Sequence, residues 1–260
     1  MYALAIVSSL LLLLMSVPIF LVFGIGSSAA AILGLGLPWS TLIQVSFGAM
    51  TKHILVAVPL FIFAGMVMLR GGAAKRLVDF ATALVGHWPG GLGIAMVIAM
   101  GFFAAFCGSM LAAIPAVGTL MMPQRLEQGY PRPFVIVLAA SAALLEALIP
   151  PSNAAILFSA LTNVPVSQTF AAGVIPGLIL LAFMVIVVLI KCRNIRNPEP
   201  ASAVERWRSF LGALPGLFTP IIILGGIYAG LLTPSESAAV AGVWAIVMGF
   251  FIYRELTFTS

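Results

Sequence analysis

Two short strings interrupt otherwise apolar stretches of this sequence, and both have the chemistry to hold an ion. The first is Gly108-Ser109, which follows Phe106-Cys107 inside the apolar run Gly91 to Met122. A glycine lets the chain turn, which frees carbonyls that can coordinate a hard cation, and the Ser109 hydroxyl adds another oxygen. The second is Pro150-Pro151-Ser152-Asn153, inside the run Phe134 to Leu161. There the second proline removes an N–H within the segment and each ring clashes with the preceding turn, exposing more carbonyls. Ser152 and Asn153 then open a new half-helix, whose N–H groups and positive dipole end favour an anion. Taken singly, each break is also what a Gly or Pro kink satisfied by neighbouring helices produces.

Glu146 precedes Pro150 by four residues, deep in the same apolar run. An intramembrane carboxylate is expensive and marks a functional position by default, and its bland alternative is a protonated or serine-paired structural acid. Thr233-Pro234-Ser235-Glu236 reads as a helix start, with Thr as N-cap, Pro at the first helical position and Glu three residues after the cap. His53 and His87 stand apart with no carboxylate or cysteine pattern around them, and Cys107 and Cys192 offer neither a disulfide framework nor a zinc spacing. Metalloenzyme chemistry is therefore unsupported, and the scarcity of polar catalytic groups argues against an enzyme altogether.

The elements that must position these residues follow from composition. Of the 260 residues, 62% are hydrophobic and 7% are charged, against roughly 25% charged in an ordinary soluble domain. Apolar stretches of about 20 residues recur, each long enough to cross roughly 30 Å of hydrocarbon as a helix. The reading is an all-α integral membrane protein in a lipid bilayer, a multi-span helical bundle with one re-entrant hairpin and one broken helix. The +5 formal charge does not indicate nucleic acid, because the basic residues sit in short loops and form no stripe.

Segments are cut where Gly, Pro and polar residues cluster. A first helix is expected from Ala3 to Phe23; without a basic n-region or cleavage site it reads as retained. A shorter piece, Ile25 to Leu37, follows the Gly-Ile-Gly-Ser-Ser break, and Pro38 to Lys52 is mixed in character and suits the interface. Leu55 to Leu69 is the next span. Arg70 to Trp88 reads as an amphipathic helix in the headgroup plane with Trp88 as anchor. The hairpin covers about 91–122 and the broken helix about 134–161. Spans follow at Phe170 to Ile190, Phe210 to Leu232 and Ser235 to Tyr253, with a polar connector from Lys191 to Ser209.

Charge decides the hairpin. If Gly91 to Met122 returns to its starting side, then Arg70, Lys75, Arg76, Arg125, Arg132, Lys191, Arg193, Arg196, Arg206, Arg208 and Arg254 share one face and only Lys52 lies opposite. A full crossing divides them less cleanly. Basic residues concentrate on the cytoplasmic side, which favours a hairpin whose open end faces the cytoplasm.

Several strings in order carry a resemblance. They are Val58-Pro59-Leu60-Phe61-Ile62-Phe63-Ala64-Gly65, Ala74-Lys75-Arg76-Leu77-Val78-Asp79, Val85-Gly86-His87-Trp88-Pro89-Gly90-Gly91-Leu92 and Cys107-Gly108-Ser109. After these come Glu127-Gln128-Gly129-Tyr130, Ile149-Pro150-Pro151-Ser152, Ala172-Gly173-Val174-Ile175-Pro176-Gly177 and Thr233-Pro234-Ser235-Glu236-Ser237-Ala238-Ala239. In this order they resemble the large membrane subunit of the tripartite ATP-independent periplasmic (TRAP) transporters over nearly the whole chain.

The resemblance implies a sodium-coupled importer of small organic anions in the bacterial or archaeal cytoplasmic membrane. It implies work with a small four-helix membrane subunit and a periplasmic substrate-binding protein, by an elevator-like shift of one domain. Gly108 and Ser109 match the first hairpin tip, and Pro150, Pro151, Ser152 and Asn153 match the first broken helix. Gly108, Ser109 and Ser152 are the sodium candidates, and Na+ is the coupling ion with no tightly bound cofactor. Residues 1–260 then form one transmembrane domain, with N-terminal helices at 1–53, a first repeat at 54–190, a cytoplasmic connector at 191–209 and helices leading towards a second repeat at 210–260.

Two features depart from the family pattern. The sequence stops at Ser260, so the second hairpin and second broken helix are expected either from a separate chain or not at all, which would leave a transport-incompetent fragment. Glu146 stands where many relatives have a small residue. A further alternative is an unrelated helical channel or carrier.

Overall fold

The computed structural model describes residues 2–108, 110–195 and 199–257, so the expected ion ligand Ser109 lies outside the described residues. Every element among them is helical. The chain divides into two compact units, Met1–Lys52 and His53–Ser260.

The first unit holds α1 (Tyr2–Leu14), α2 (Ile19–Ala29), which runs on as a π turn to Gly34, and α3 (Trp39–Met50). The expected helix from Ala3 to Phe23 is thus two helices. Pro18 has no N–H to give and disfavours helical backbone at Val17, and Ser16 takes a left-handed φ of 58°. Conversely, the expected break at Gly24 to Ser28 is continuous helix, in which Ser27 Oγ donates back to Phe23 O at 2.6 Å. Two glycines weaken a helix without ending it when no donor is removed.

The second unit opens with a 3-10 turn, His53–Val56, leading into α4 (Ala57–Arg70), followed by α5 (Ala73–Val85), α6 (Gly91–Cys107) and α7 (Met110–Glu127). Next come α8 (Arg132–Ala143), the single turn α9 (Leu145–Leu148), α10 (Asn153–Thr162) and α11 (Val166–Lys191). The unit ends with α12 (Ala203–Tyr228) and α13 (Pro234–Val247), which a π turn, Met248–Ile252, extends.

Among the described residues, four helical stretches are long and apolar enough to cross a bilayer: His53–Arg70, Val166–Lys191, Ala203–Tyr228 and Pro234–Ile252. The pair Arg132–Leu148 and Asn153–Thr162, bent by 40°, makes a fifth if it counts as one span. One face of α11 exposes Ile175, Leu178, Ile179, Phe183, Ile186 and Ile190. Such a stripe suits hydrocarbon and not water.

The core is organised around α6, apolar on every side and buried at Ile94, Ala95, Met96, Val97, Met100, Phe103 and Phe106. A helix of that kind must be enclosed, and α5, α7, α8, α9 and α11 all pack on it. α5 is amphipathic as its sequence requires. Its apolar face, Ala73, Ala74, Leu77, Val78, Ala81 and Val85, is covered by α6 and α12.

Two helix starts show how local chemistry sets boundaries. Thr233 caps α13 as the sequence predicts: its Oγ1 accepts from Glu236 N at 3.3 Å while the Glu236 carboxylate accepts from Thr233 N at 2.7 Å. The same box, Ser202 with Glu205, begins α12 inside the segment read as polar connector. That connector holds Ser-x-x-Glu ahead of an apolar run, which is a start signal in its own right.

Candidate functional site

α6 and α7 pack side by side. Arg125, in the last turn of α7, is fully buried beside the first turn of α6: its Nε donates to Leu92 O at 3.0 Å and its terminal nitrogens reach Leu92 O, Met96 Sδ and Met121 Sδ. The second helix therefore returns alongside the first, with the turn at Gly108. Sequence reasoning treated Arg125 as one more surface charge, because an isolated arginine near a loop carries no sign of burial.

At the turn, Gly108 closes α6 in the left-handed region, with φ 58° and ψ 18°. A side chain there would be strained, and a Cβ would stand 2.9 Å from Pro151 O and 3.4 Å from Asn153 Cγ. Asn153 N donates to Gly108 O at 3.4 Å. The two interruptions, separated by over forty residues, thus meet at one point, and Gly108, Pro151 and Asn153 are in mutual contact.

The broken helix is opened by Pro150 and Pro151, joined by a cis peptide bond. In a continuing helix these two positions would donate to Glu146 O and Ala147 O, and proline has no N–H. The expectation that both carbonyls stand bare needs correcting for one of them. Ser152 Oγ donates to Ala147 O at 2.9 Å and accepts from Ala155 N at 3.3 Å, so this hydroxyl bridges the gap between α9 and α10. One lone pair on Ser152 Oγ is left for a cation. Asn153 Oδ1 is buried with no hydrogen-bond partner among the described residues. An orphaned amide oxygen against the Gly108 turn is the kind of hard donor that an alkali cation takes, so the residues present fit such an ion.

The break is held from behind by α11. A Cβ on Gly173 would overlap Leu148 O, and one on Gly177 would stand 2.9 Å from Ile149 Cγ1. These glycines, four residues apart, let α11 approach the end of α9 at backbone distance. Their Gly-x-x-x-Gly spacing was the available signal and sequence reasoning passed over it. Ser159 Oγ and Thr169 Oγ1, 2.9 Å apart, link α10 to α11 beyond the break.

Glu146 is 1% exposed in α9, and neither carboxyl oxygen has a hydrogen-bond partner among the described residues. The clefts of the first unit, about 430 Å³ and 450 Å³, are walled almost wholly by apolar atoms such as those of Leu21, Ile25, Leu10 and Phe23, and offer nothing to orient an anion. Among the described residues no three His, Cys, Asp or Glu side chains converge in a metal cluster. Ser152 Oγ, Asn153 Oδ1 and the Gly108 carbonyl come together where the tip of α6 meets the broken helix.

Residues 6–260 match the family described as tripartite ATP-independent periplasmic transporter, DctM component. The chain is 38% identical over 236 residues to the C4-dicarboxylate TRAP transporter large permease protein DctM of Rhodobacter capsulatus, covering 85% of this chain and 54% of that protein. It is 41% identical over 212 residues to the protein of the same description from Pseudomonas aeruginosa, covering 81% of this chain and 50% of the relative. A third relative, the 2,3-diketo-L-gulonate TRAP transporter large permease protein YiaN of Escherichia coli, is 38% identical over 208 residues, 79% of this chain and 49% of its own length. The chain spans about half the length of the curated relatives it matches.

Proposed function

This chain belongs to the DctM component family of tripartite ATP-independent periplasmic transporters, and on that footing we propose that it is the first-repeat part of a sodium-coupled permease importing a small organic anion. The single observation that carries the reading is the hydrogen bond from Asn153 to Gly108, which joins the tips of two interrupted helices inside an apolar body. Interrupted helices inside a membrane persist only where protein or a wet cavity satisfies the backbone, and here one backbone hydrogen bond links the two interruptions.

Sodium would bind at this junction through the carbonyl of Gly108, the hydroxyls of Ser109 and Ser152, and Asn153 Oδ1. Gly108 O has spare acceptor capacity beyond its bond to Asn153 N, since a carbonyl has two lone pairs. A cation there neutralises the carbonyl dipoles gathered at the junction and fixes the tip. The anion would then meet the positive end of α10 at Ser152 and Asn153. Carboxylate cargo is favoured by the named substrates of the relatives, C4-dicarboxylates and 2,3-diketo-L-gulonate.

The permease would work in the inner membrane with a small four-helix subunit and a periplasmic binding protein, a reading supported by the words tripartite and periplasmic in the family's description, and with a second-repeat segment on the same or a separate chain. The hairpin, with both ends at the Arg125–Leu92 contact, would face the cytoplasm with its open end. Reconstituted proteoliposomes containing all of these components test the reading. Uptake of a C4-dicarboxylate should require an inward sodium gradient and the binding protein, and uptake indifferent to sodium would refute the coupling.

A further inference from the structure

Glu146 sits on a single helical turn between the irregular residue Leu144 and the break at Ile149, 1% exposed, with both carboxyl oxygens buried and unpartnered among the described residues. No described cation reaches it. α6, α8, α10 and α11 pack on the turn that carries it. α6 carries no charged residue, only Cys107, whose side chain is not described, and α10 has no titratable group at all. On α8 the one charge is Arg132, 14 positions before Glu146, and on α11 it is Lys191, 14 positions beyond Gly177. Either separation is about 20 Å along a helix.

A carboxylate in that setting has neither counter-ion nor donor, and a buried charge so placed is neutralised by taking up a proton. A neutral acid still lacks a partner here, so any conformation that admits water to the break gains hydrogen bonds for this group. Its own main-chain carbonyl is one of the two that the prolines deprive of a helix donor.

We propose that Glu146 is a proton-carrying site: its carboxyl O–H is intact while the break is closed against Gly108. The bond dissociates to carboxylate when the break parts from the tip, the proton passing to water. This rests on the transport reading, adds the parting of the α9–α10 break from the tip as a step of transport, and adds protons to sodium as a carried species.

Two measurements test it separately from sodium coupling. In lipid-reconstituted chain at neutral pH, infrared difference spectroscopy should show a protonated-carboxyl C=O band that disappears in Glu146→Gln and shifts in Glu146→Asp. In the complete permease, a lumenal pH dye should report protons moving with each pulse of substrate, falling in Glu146→Gln to the level without substrate. A protonated band unchanged by either substitution, or substrate uptake that moves no protons in the native permease, overturns the proposal. Sodium-driven uptake without proton movement would leave the sodium reading standing and this one refuted.

Discussion

The amide of Asn153 donates to the carbonyl of Gly108 at 3.4 Å, so the turn of a helical hairpin is seated on the start of a half-helix. Gly108 permits this by its φ of 58° and by the missing Cβ, which would otherwise stand 2.9 Å from Pro151 O. Gly108→Ala should therefore destabilise the junction by about 1–2 kcal/mol from the left-handed backbone alone. Uptake at saturating sodium should fall less than uptake at low sodium; kinetics identical to the native permease would show that the junction plays no part in ion binding.

Gly173 places the backbone of α11 against Leu148 O, where a Cβ would overlap that oxygen. Gly173→Val should push α9 and α11 apart at a cost of about 1–3 kcal/mol. Thermal unfolding in detergent reads this directly, and Gly118→Val, at a position where a Cβ would meet nothing within 4 Å, serves as the control. Equal melting temperatures for the two variants would contradict the close packing.

Arg125 fastens the base of the hairpin through Leu92 O. Arg125→Ala removes a hydrogen bond from a charged donor and should cost about 1.5–3 kcal/mol. Hydrogen exchange should rise across residues 91–127 and stay unchanged in α12 and α13. A uniform rise over the whole chain would point to global unfolding and away from a local fastening.

Thr233 and Glu236 exchange cap hydrogen bonds at the start of α13. Thr233→Ala should lower stability by about 1 kcal/mol and leave sodium dependence untouched, because the cap is remote in sequence from either break. Melting temperature together with uptake kinetics checks both halves of that statement.

Asp79 on α5 has its carboxyl raised above the usual 3.8 by desolvation, against the opposing pull of Lys75 and Arg76. The folded chain then holds a proton that the unfolded chain has released, so stability falls as pH rises through the window just above 3.8. Comparing the pH dependence of melting for the native chain and Asp79→Asn should show a shallower decline in the variant.

Legibility in the sequence followed how local the cause was. Pro38, Pro150, Pro151 and the Thr233 box act on their own neighbours, and each boundary they set falls where the residues indicate. Errors arose where a non-local partner decides. Whether Gly24 and Gly26 end a helix depends on the continuity of the hydrogen-bond ladder. The meeting of Gly108 with Asn153, the burial of Arg125 and the bridging by Ser152 are all tertiary, so the sequence named the two breaks without saying that they touch.

The most direct test of a shared ion site at that meeting point is equilibrium binding of radiolabelled sodium to the purified, complete permease, compared with Gly108→Ala, Ser152→Ala and Asn153→Ala. Saturable binding weakened at least several-fold by substitutions on both sides of the junction is the expected result. Binding that survives all three unchanged, or that responds to one break and not the other, would contradict it.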